Sequence, residues 1–360
     1  MKKLFYLLAT GALMLASCES QPSYKITGNA PLLLDSTIVY LQRAQGRSLV
    51  KLDSTMIING QFSFSGRQDT AIHRYVSAVS EGIRYRTDFF LENGIIALTL
   101  DKECCATGTP SNDAYQAFKQ EYNALKKEQK ELYNTRVETD EEKKDLMHKI
   151  NATHVNLAET VKKHVNLNAT TGVGAYLFAE YIDFLTEEQQ KEILAKMPEV
   201  FKNDRKISKI IKHIEILDKT AVGQKFTDFA MPDPQGKMVK LSDIVAKNKY
   251  TLVDFWASWC GPCRAEMPHV IEAYNKYNKK GFGIVGVSLD SEAGNWTNAI
   301  KEWKMPWIHI SDLKSFECEG AALYGINSIP STILIAQDGT LVARTLRGNA
   351  LEKKLEELFK

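Results

Sequence analysis

The sequence predicts three folded parts: an all-β sandwich over 24–105, a helical region over 111–218 and an α/β domain over 220–360. Three observations carry this reading. Short apolar–polar alternations separated by Asn-Gly pairs fill the first part, as half-buried strands require. Between Ser111 and Met197 there is no proline, and apolar residues recur every three or four positions, the spacing of a helix with one buried face. A strand-like run, Thr251 to Ala257, leads into Trp259-Cys260-Gly261-Pro262-Cys263, and a helical pattern follows from Arg264 to Tyr277. The length suits two or three domains rather than one core.

The N-terminus opens with Lys2-Lys3 and an apolar run, Leu4 to Leu15, too short to span a bilayer. With Leu15-Ala16-Ser17-Cys18 it resembles a bacterial lipoprotein signal. That resemblance implies removal of 1–17, acylation of Cys18 and a lipid-anchored protein in the cell envelope, facing the periplasm. No aspartate follows Cys18, which leans towards the outer membrane.

Strands are expected at Ile38–Leu41, Leu49–Ile58, Gln61–Ser65, Arg74–Val79, Tyr85–Leu91 and Ile95–Leu100. Gln45-Gly46 and Asn93-Gly94 read as turns, and Asn59-Gly60 as a strong hairpin signal. The aromatic residues here read as core. In the helical part, Tyr115, Phe118, Tyr122 and Leu125 form one stripe, and Leu146, Ile150, Leu157 and Val161 another. Thr186-Glu-Glu-Gln189 is a capping-box signal, and Arg205 to Leu217 a final helix. A spacer that packs on its neighbours is the simplest role; dimerisation or substrate docking is the sharper one.

The chemistry concentrates in the α/β part. A thiol at a helix start sits among unpaired backbone N–H groups and the positive end of the helix dipole, which favour its thiolate. The thiolate is the nucleophile of thiol–disulfide exchange, and a second thiol close by can resolve a mixed disulfide. Cys260, at an exposed helix end, is therefore expected to attack, and Cys263, one turn in and more buried, to resolve. A zinc site would need two more ligands, and neither a second Cys-x-x-Cys nor a His-x-x-x-His exists. No metal and no cofactor is expected. Asp254 lies among Leu252, Val253, Phe255 and Trp256, so burial should raise its pKa and let it exchange a proton with Cys263. Glu266 offers a second carboxyl. Trp256 reads as structural wall, and Trp259, with Gly261 and Pro262, as the rim that meets substrate. Cys104 and Cys105 read as two free or separately paired thiols, and Cys318 as a packing residue that an oxidative cross-link could engage.

Val253-Asp-Phe-Trp-Ala-Ser-Trp-Cys-Gly-Pro-Cys263 resembles the active-site strand and turn of the thioredoxin superfamily. Pro268 falls where that family kinks its active-site helix. Tyr324-Gly-Ile-Asn-Ser-Ile-Pro-Ser331 is similar to the segment that ends in its cis-proline, here Pro330, and Gly348 to the glycine flanking its substrate groove. A cis Pro330 would leave the Ile329 backbone free to pair with a substrate strand. Arg264-Ala-Glu-Met-Pro268 and the long segment from Asp290 to Asp312 resemble the periplasmic branch that includes the cytochrome-c-maturation thioredoxins. That branch places a glutamate in its cavity, where Glu266 stands. Many of its members lack the aspartate at the Asp254 position, so the chain mixes features of two branches. Leu52-Asp-Ser-Thr and Asn59-Gly-Gln-Phe-Ser-Phe-Ser-Gly66 resemble a β-sandwich domain that precedes thioredoxin domains in Bacteroidetes lipoproteins and implies no activity of its own.

The expected function is a membrane-anchored periplasmic thiol–disulfide oxidoreductase acting as a reductase. Disulfide-bearing periplasmic proteins would be its clients, and a membrane thiol reductase its electron donor. A dimeric disulfide isomerase is the close alternative, and it alone asks for a homodimer. A client-binding scaffold lipoprotein with an accessory redox domain is the alternative from another class. Peroxidase chemistry is disfavoured, because no Pro-x-x-x-Thr-x-x-Cys is present. Forty-six basic residues against forty-four acidic ones, with no basic block, leave no footprint for nucleic acid.

Overall fold

The computed structural model describes residues 23–360, so the leader at 1–17 and the lipidation candidate Cys18 lie outside the described residues. The chain divides into two compact units, one ending at Ile207 and the other running Ser208–Lys360. No helix among the described residues is long and apolar enough to cross a membrane.

The first unit begins with eight strands: β1 (Tyr24–Asn29), β2 (Ile38–Gln45), β3 (Ser48–Met56), β4 (Gln61–Gly66), β5 (Ile72–Ser80), β6 (Ile83–Leu91), β7 (Gly94–Thr99) and β8 (Cys105–Thr107). They make two four-stranded sheets, β4-β1-β7-β8 and β3-β2-β5-β6. Ile26, Phe62, Phe64, Ile96 and Leu98 of the first sheet share one core with Val39, Leu41, Val76, Ala78 and Phe89 of the second. The expected β-sandwich is therefore present, and the period-two alternation supplied each inner face.

Asn59-Gly60 behaves differently from the expected hairpin. Both residues take the positive φ that a tight two-residue turn needs, 51° and 69°. Only one bridge, Ile58 to Gln61, closes behind them. β3 then pairs with β2, and β4 with β1, so the turn carries the chain from one sheet to the other. The Asp35 carboxylate accepts from the Asn59 and Gly60 N–H groups, and Ile57 is fully buried, which bends the chain inward at that point. Asn93-Gly94 makes the same change of sheet between β6 and β7, and β7 lands parallel to β1.

Six helices follow: α1 (Pro110–Tyr133), α2 (Asp140–Leu167), α3 (Gly172–Glu180), α4 (Glu187–Lys196), α5 (Glu199–Lys202) and α6 (Arg205–Lys219). Thr186 and Gln189 form the expected capping box on α4, and Thr139 and Glu142 form another on α2. Tyr115, Phe118, Ile150, Leu157 and Val161 are buried, as the stripes require. α1 also blunts the edge strand β6, because the Asn112 side chain accepts from the Phe90 N–H and donates to its carbonyl. Beside this contact, Asp88 of β6 accepts from the Tyr115 hydroxyl at 2.5 Å and faces His73 Nε2 at 3.1 Å and Lys119 Nζ at 3.3 Å. Burial alone would raise the Asp88 pKa. The bond to His73, the Lys119 charge and the Tyr115 hydroxyl together outweigh it and hold the carboxyl well below the usual range.

The second unit holds the end of α6, a short hairpin of β9 (Ala230–Pro232) and β10 (Met238–Lys240), then α7 (Leu241–Val245), β11 (Tyr250–Trp256), α8 (Gly261–Tyr277), β12 (Phe282–Ser288), α9 (Ala293–Glu302), β13 (Ile308–Ile310), α10 (Glu319–Tyr324), β14 (Ser331–Ala336), β15 (Leu341–Arg344) and α11 (Asn349–Leu358). Its sheet runs β13-β12-β11-β14-β15. β11, β12 and β13 are parallel, β14 runs antiparallel to β11, and β15 antiparallel to β14. This is the thioredoxin arrangement, with β11 in the middle and buried on both faces. Arg344 of β15 donates to the Thr220 carbonyl at 2.7 Å and to the Tyr324 carbonyl at 2.7 Å, which pins the end of α6 to α10 and the sheet edge.

Asp88→Ala should leave three donors without their acceptor in a partly buried site. Breaking such a group by removing one partner costs on the order of 3 kcal/mol. Hydrogen exchange of β5 and β6 amides in the full chain should rise accordingly, and unchanged protection would show that the cluster does not hold α1 to the sheet.

Candidate active site

β11 delivers the chain to the site. Its last carbonyl, Trp256, accepts from the Leu289 N–H at 2.8 Å, and a short turn then brings Cys260 to the cap position of α8. The Cys263 N–H donates to Cys260 Sγ at 3.1 Å. Cys260 and Cys263 are joined by a disulfide, with Cα atoms 5.2 Å apart. The two thiols thus stand where the helix start requires, in the oxidised form.

One expectation needs correction. Cys260 is not exposed: it is 4% accessible, against 1% for Cys263. As a disulfide its sulfur is turned onto Cys263 at the helix start and joins the domain core. The exposed surface comes from its neighbours, Trp259 at 57% and the solvent-facing Gly261 and Pro262. Trp256 is wall rather than rim, fully buried with its ring beside His309.

Asp254 sits at the centre of β11, opposite Gly286 on β12 and Thr332 on β14. Its four neighbours in sequence are fully buried. Burial pushes its carboxyl from an ordinary 3.8 up to about 7, and the nearby Glu266 carboxylate adds to the rise. Glu266 is half-buried on α8, and one of its oxygens accepts from the Gly348 N–H. Gly348 caps α11 at φ 46° and ψ −129°, a conformation that L side chains avoid. The segment before it returns to the proline strand: Thr332 Oγ1 donates to the Leu346 carbonyl at 2.9 Å, and Arg347 donates to the Pro330 carbonyl. The Ile329–Pro330 bond is cis, with Pro330 buried and Ile329 half-buried. Hydrogen bonds therefore tie Glu266 to the Gly348 loop and that loop to Pro330, while the charge of Glu266 acts on Asp254.

Sequence reasoning missed Asp290. It is 1% exposed, and its carboxylate accepts from the Ser258 N–H at 3.0 Å, from Ser258 Oγ at 2.5 Å and from Ser288 Oγ at 2.7 Å. These bonds fix the turn that carries Trp259 and Cys260. A carboxylate just past a fully apolar strand-like run, Phe282 to Val287, was the available signal. Cys318 is fully buried as the cap of α10, and burial pushes its thiol pKa up, so it packs. Cys104 and Cys105 are half-buried and unpaired with each other. No group of three or more His, Cys, Asp or Glu among the described residues is placed to hold a metal ion.

Matches with known proteins fall on the first and last parts of the chain. Residues 222–344 match the model of the AhpC/TSA family, and residues 24–115 that of a domain of unknown function, DUF4369. The thiol-disulfide oxidoreductase ResA of Bacillus thuringiensis is 30% identical over 143 residues, 40% of this chain and 79% of the relative. The protein of that name from Bacillus subtilis is 26% identical over 135 residues, 38% of this chain and 72% of the relative. Among solved structures, the thioredoxin domain of a thiol-disulfide oxidoreductase from Bacteroides vulgatus is 35% identical, covering 39% of this chain and 99% of that one with a TM-score of 0.36. A thiol-disulfide oxidoreductase from Bacteroides fragilis is 33% identical, at 38% and 99% coverage and a TM-score of 0.36.

The raised Asp254 pKa has a pH consequence. Below about pH 4 the folded and unfolded chains both hold the proton, and the burial costs nothing extra. Between about 4 and 7 only the folded chain holds it, so stability falls as pH rises, and above 7 the whole penalty is present. Asp254→Asn cannot ionise and removes this slope. Its stability relative to wild type should therefore climb between about pH 4 and 7 by at least about 1 kcal/mol. Urea midpoints of the oxidised proteins across that range check it; a pH-independent difference would mean that Asp254 is not held protonated by the fold.

Proposed function

The chain belongs to the ResA-type thiol–disulfide oxidoreductases, and from that membership we propose that it is a membrane-anchored reductase of disulfides in periplasmic proteins. The observation that carries the reading is the Cys260–Cys263 pair at the start of α8, the helix that follows the strand bearing Asp254, a buried carboxyl whose pKa lies near neutrality. Residues 220–360 supply the chemistry.

In the reduced protein, the Cys260 thiolate attacks one sulfur of a client disulfide. The client S–S bond breaks, the released client thiolate takes a proton from water, and a Cys260–client mixed disulfide forms. Cys263 then gives its proton to the Asp254 carboxylate and attacks Cys260 Sγ. This releases the second client thiolate and closes the Cys260–Cys263 disulfide, with two electrons passed to the client. A pKa of about 7 suits Asp254 to take a thiol proton and hand it back near neutral pH. Glu266 tunes Asp254 by its charge and holds the Gly348 loop beside Pro330. Ile329 and Pro330, with Trp259, Gly261, Pro262 and Gly348, form the surface that meets the client. An external dithiol must reduce the pair again, and a membrane thiol reductase is the class that can supply electrons to an oxidising compartment. The anchor is the lipid on Cys18, and the resemblance of 264–268 to the cytochrome-c-maturation branch favours cysteine-bearing clients of that pathway.

Cys260→Ser should abolish insulin-disulfide reduction, whereas Cys263→Ser should still form mixed disulfides and accumulate them. Mass spectrometry of the trapped adducts checks the order of attack; adducts on Cys263 in the Cys260→Ser protein would reverse it.

The Gly-Pro pair between the cysteines is that of the reducing thioredoxins, whose potential lies at about −270 mV, against about −120 mV for the oxidant DsbA. Equilibration of the full chain with glutathione or dithiothreitol should place its potential nearer the former. A value above about −160 mV would overturn the reductase direction.

A further inference from the structure

Two large aromatic rings remain in solvent beside the reactive disulfide. Trp259, next to Cys260, is 57% exposed, and Phe316 is 41% exposed. Their ring centroids are 6.1 Å apart, although the residues come from loops 57 positions apart in the chain. The Phe316 loop is closely specified. It is a single 3-10 turn, Ser315–Glu317, set between β13 and α10. Leu313 and Ser315 take φ of 59° and 54°, the left-handed region that such side chains rarely occupy. The Asp312 carboxylate accepts from the N–H groups of Lys314 at 3.2 Å and Glu319 at 3.1 Å, across the base of the loop.

Both loops hang from the same buried polar groups at the end of β12. Ser288 Oγ and the Ser258 N–H bind Asp290, which fixes the turn under Trp259. The Ser288 carbonyl accepts from Ser311 Oγ at 2.9 Å, and Ser311 Oγ accepts from the Leu313 N–H at 3.1 Å, which fixes the turn under Phe316. A fold that only had to hide these rings could bury them. Here, left-handed backbone and a shared hydrogen-bond network hold both in water, next to the sulfur that a client must reach.

We propose that Trp259 and Phe316 together form a recognition patch for a bulky apolar side chain lying one to three residues from the client's disulfide cysteine. The inference rests on the reductase reading above, because it is the exchange reaction that brings client chain over this patch. An extended client strand advances about 3.3 Å per residue, so a side chain two positions from its cysteine lies about 7 Å along, within the span of the ring pair. Phe316 is a specificity-determining residue in this account; the electrons still pass through Cys260.

The test uses the full chain, reduced by dithiothreitol, and two peptides that carry one cysteine as a mixed disulfide with glutathione. The peptides differ only in leucine or serine two residues from that cysteine. Wild type should reduce the leucine peptide with a kcat/KM roughly 10-fold higher, the scale set by one apolar side chain in a matching site. Phe316→Ala should bring that ratio close to about 1, and Phe316→Leu should retain most of it. Equal wild-type rates on the two peptides would overturn the proposal, whatever the variants do. So would an undiminished ratio in a folded Phe316→Ala protein. Insulin reduction by the wild type is the separate gauge of the chemistry. If that is absent, the reductase reading itself fails and takes the patch with it; if it is present without a peptide preference, only the patch fails.

Discussion

The burial of one carboxyl group organises the second unit. Asp254 occupies the middle of the central strand β11, where its four neighbours in sequence are apolar and fully buried. Moving a carboxylate into such a place is costly, so the group keeps its proton to an unusually high pH. The cysteine pair and a second carboxyl follow on the next helix. α8 starts just beyond the strand, which brings Cys260 and Cys263 to its first turn and Glu266 one turn further on. Glu266 reaches the Gly348 N–H, and the Gly348 loop returns to the proline at the start of β14. Strand, helix, loop and cis peptide are thus placed around a single ionisable group.

Asp290 shows what a different surrounding does to the same side chain. It too is almost wholly buried, yet two serine hydroxyls and a backbone N–H converge on it. Buried polar groups satisfied in this way are rigid. Asp290 accordingly serves as an anchor, tying the turn ahead of Cys260 to the end of β12. The two buried carboxyls thus differ in their partners: Asp254 has the Glu266 charge beside it, and Asp290 has converging donors.

Much of this was legible in the sequence, and the gaps have a common cause. Whatever depends on period or on local spacing could be read: the sandwich alternations of β2 to β7, the stripes of α1 and α2, the capping box at Thr186, the cysteine pair and the apolar strand around Asp254, whereas β1 is not among the expected strands. Whatever depends on partners far away in the chain could not. Asn59-Gly60 was readable as a tight turn but not as a passage between sheets, because the choice is made by Asp35 and by the burial of Ile57. The parallel pairing of β1 with β7 joins segments about seventy residues apart with no local signature. Cys260 looked exposed because a helix end usually is; its burial comes from the disulfide and from the core around it. Asp290 and Phe316 gained their roles only when β12 and β13 lay side by side.

Asp88, in the first unit, completes the comparison and sets a criterion for reading buried charge. It is held by His73, Tyr115 and Lys119, and its pKa moves down although burial pushes up. Donors fix a carboxylate in its charged form, and a fixed charge acts as a clamp, here between α1 and β6. Asp254 moves the other way because burial and the Glu266 carboxylate act in the same sense, and no cation among the described residues offsets either. Burial by itself therefore does not mark a reactive acid. What decides the direction is whether donors reach the carboxyl: three groups reach Asp88, whereas Asp254 has burial and a like charge beside it.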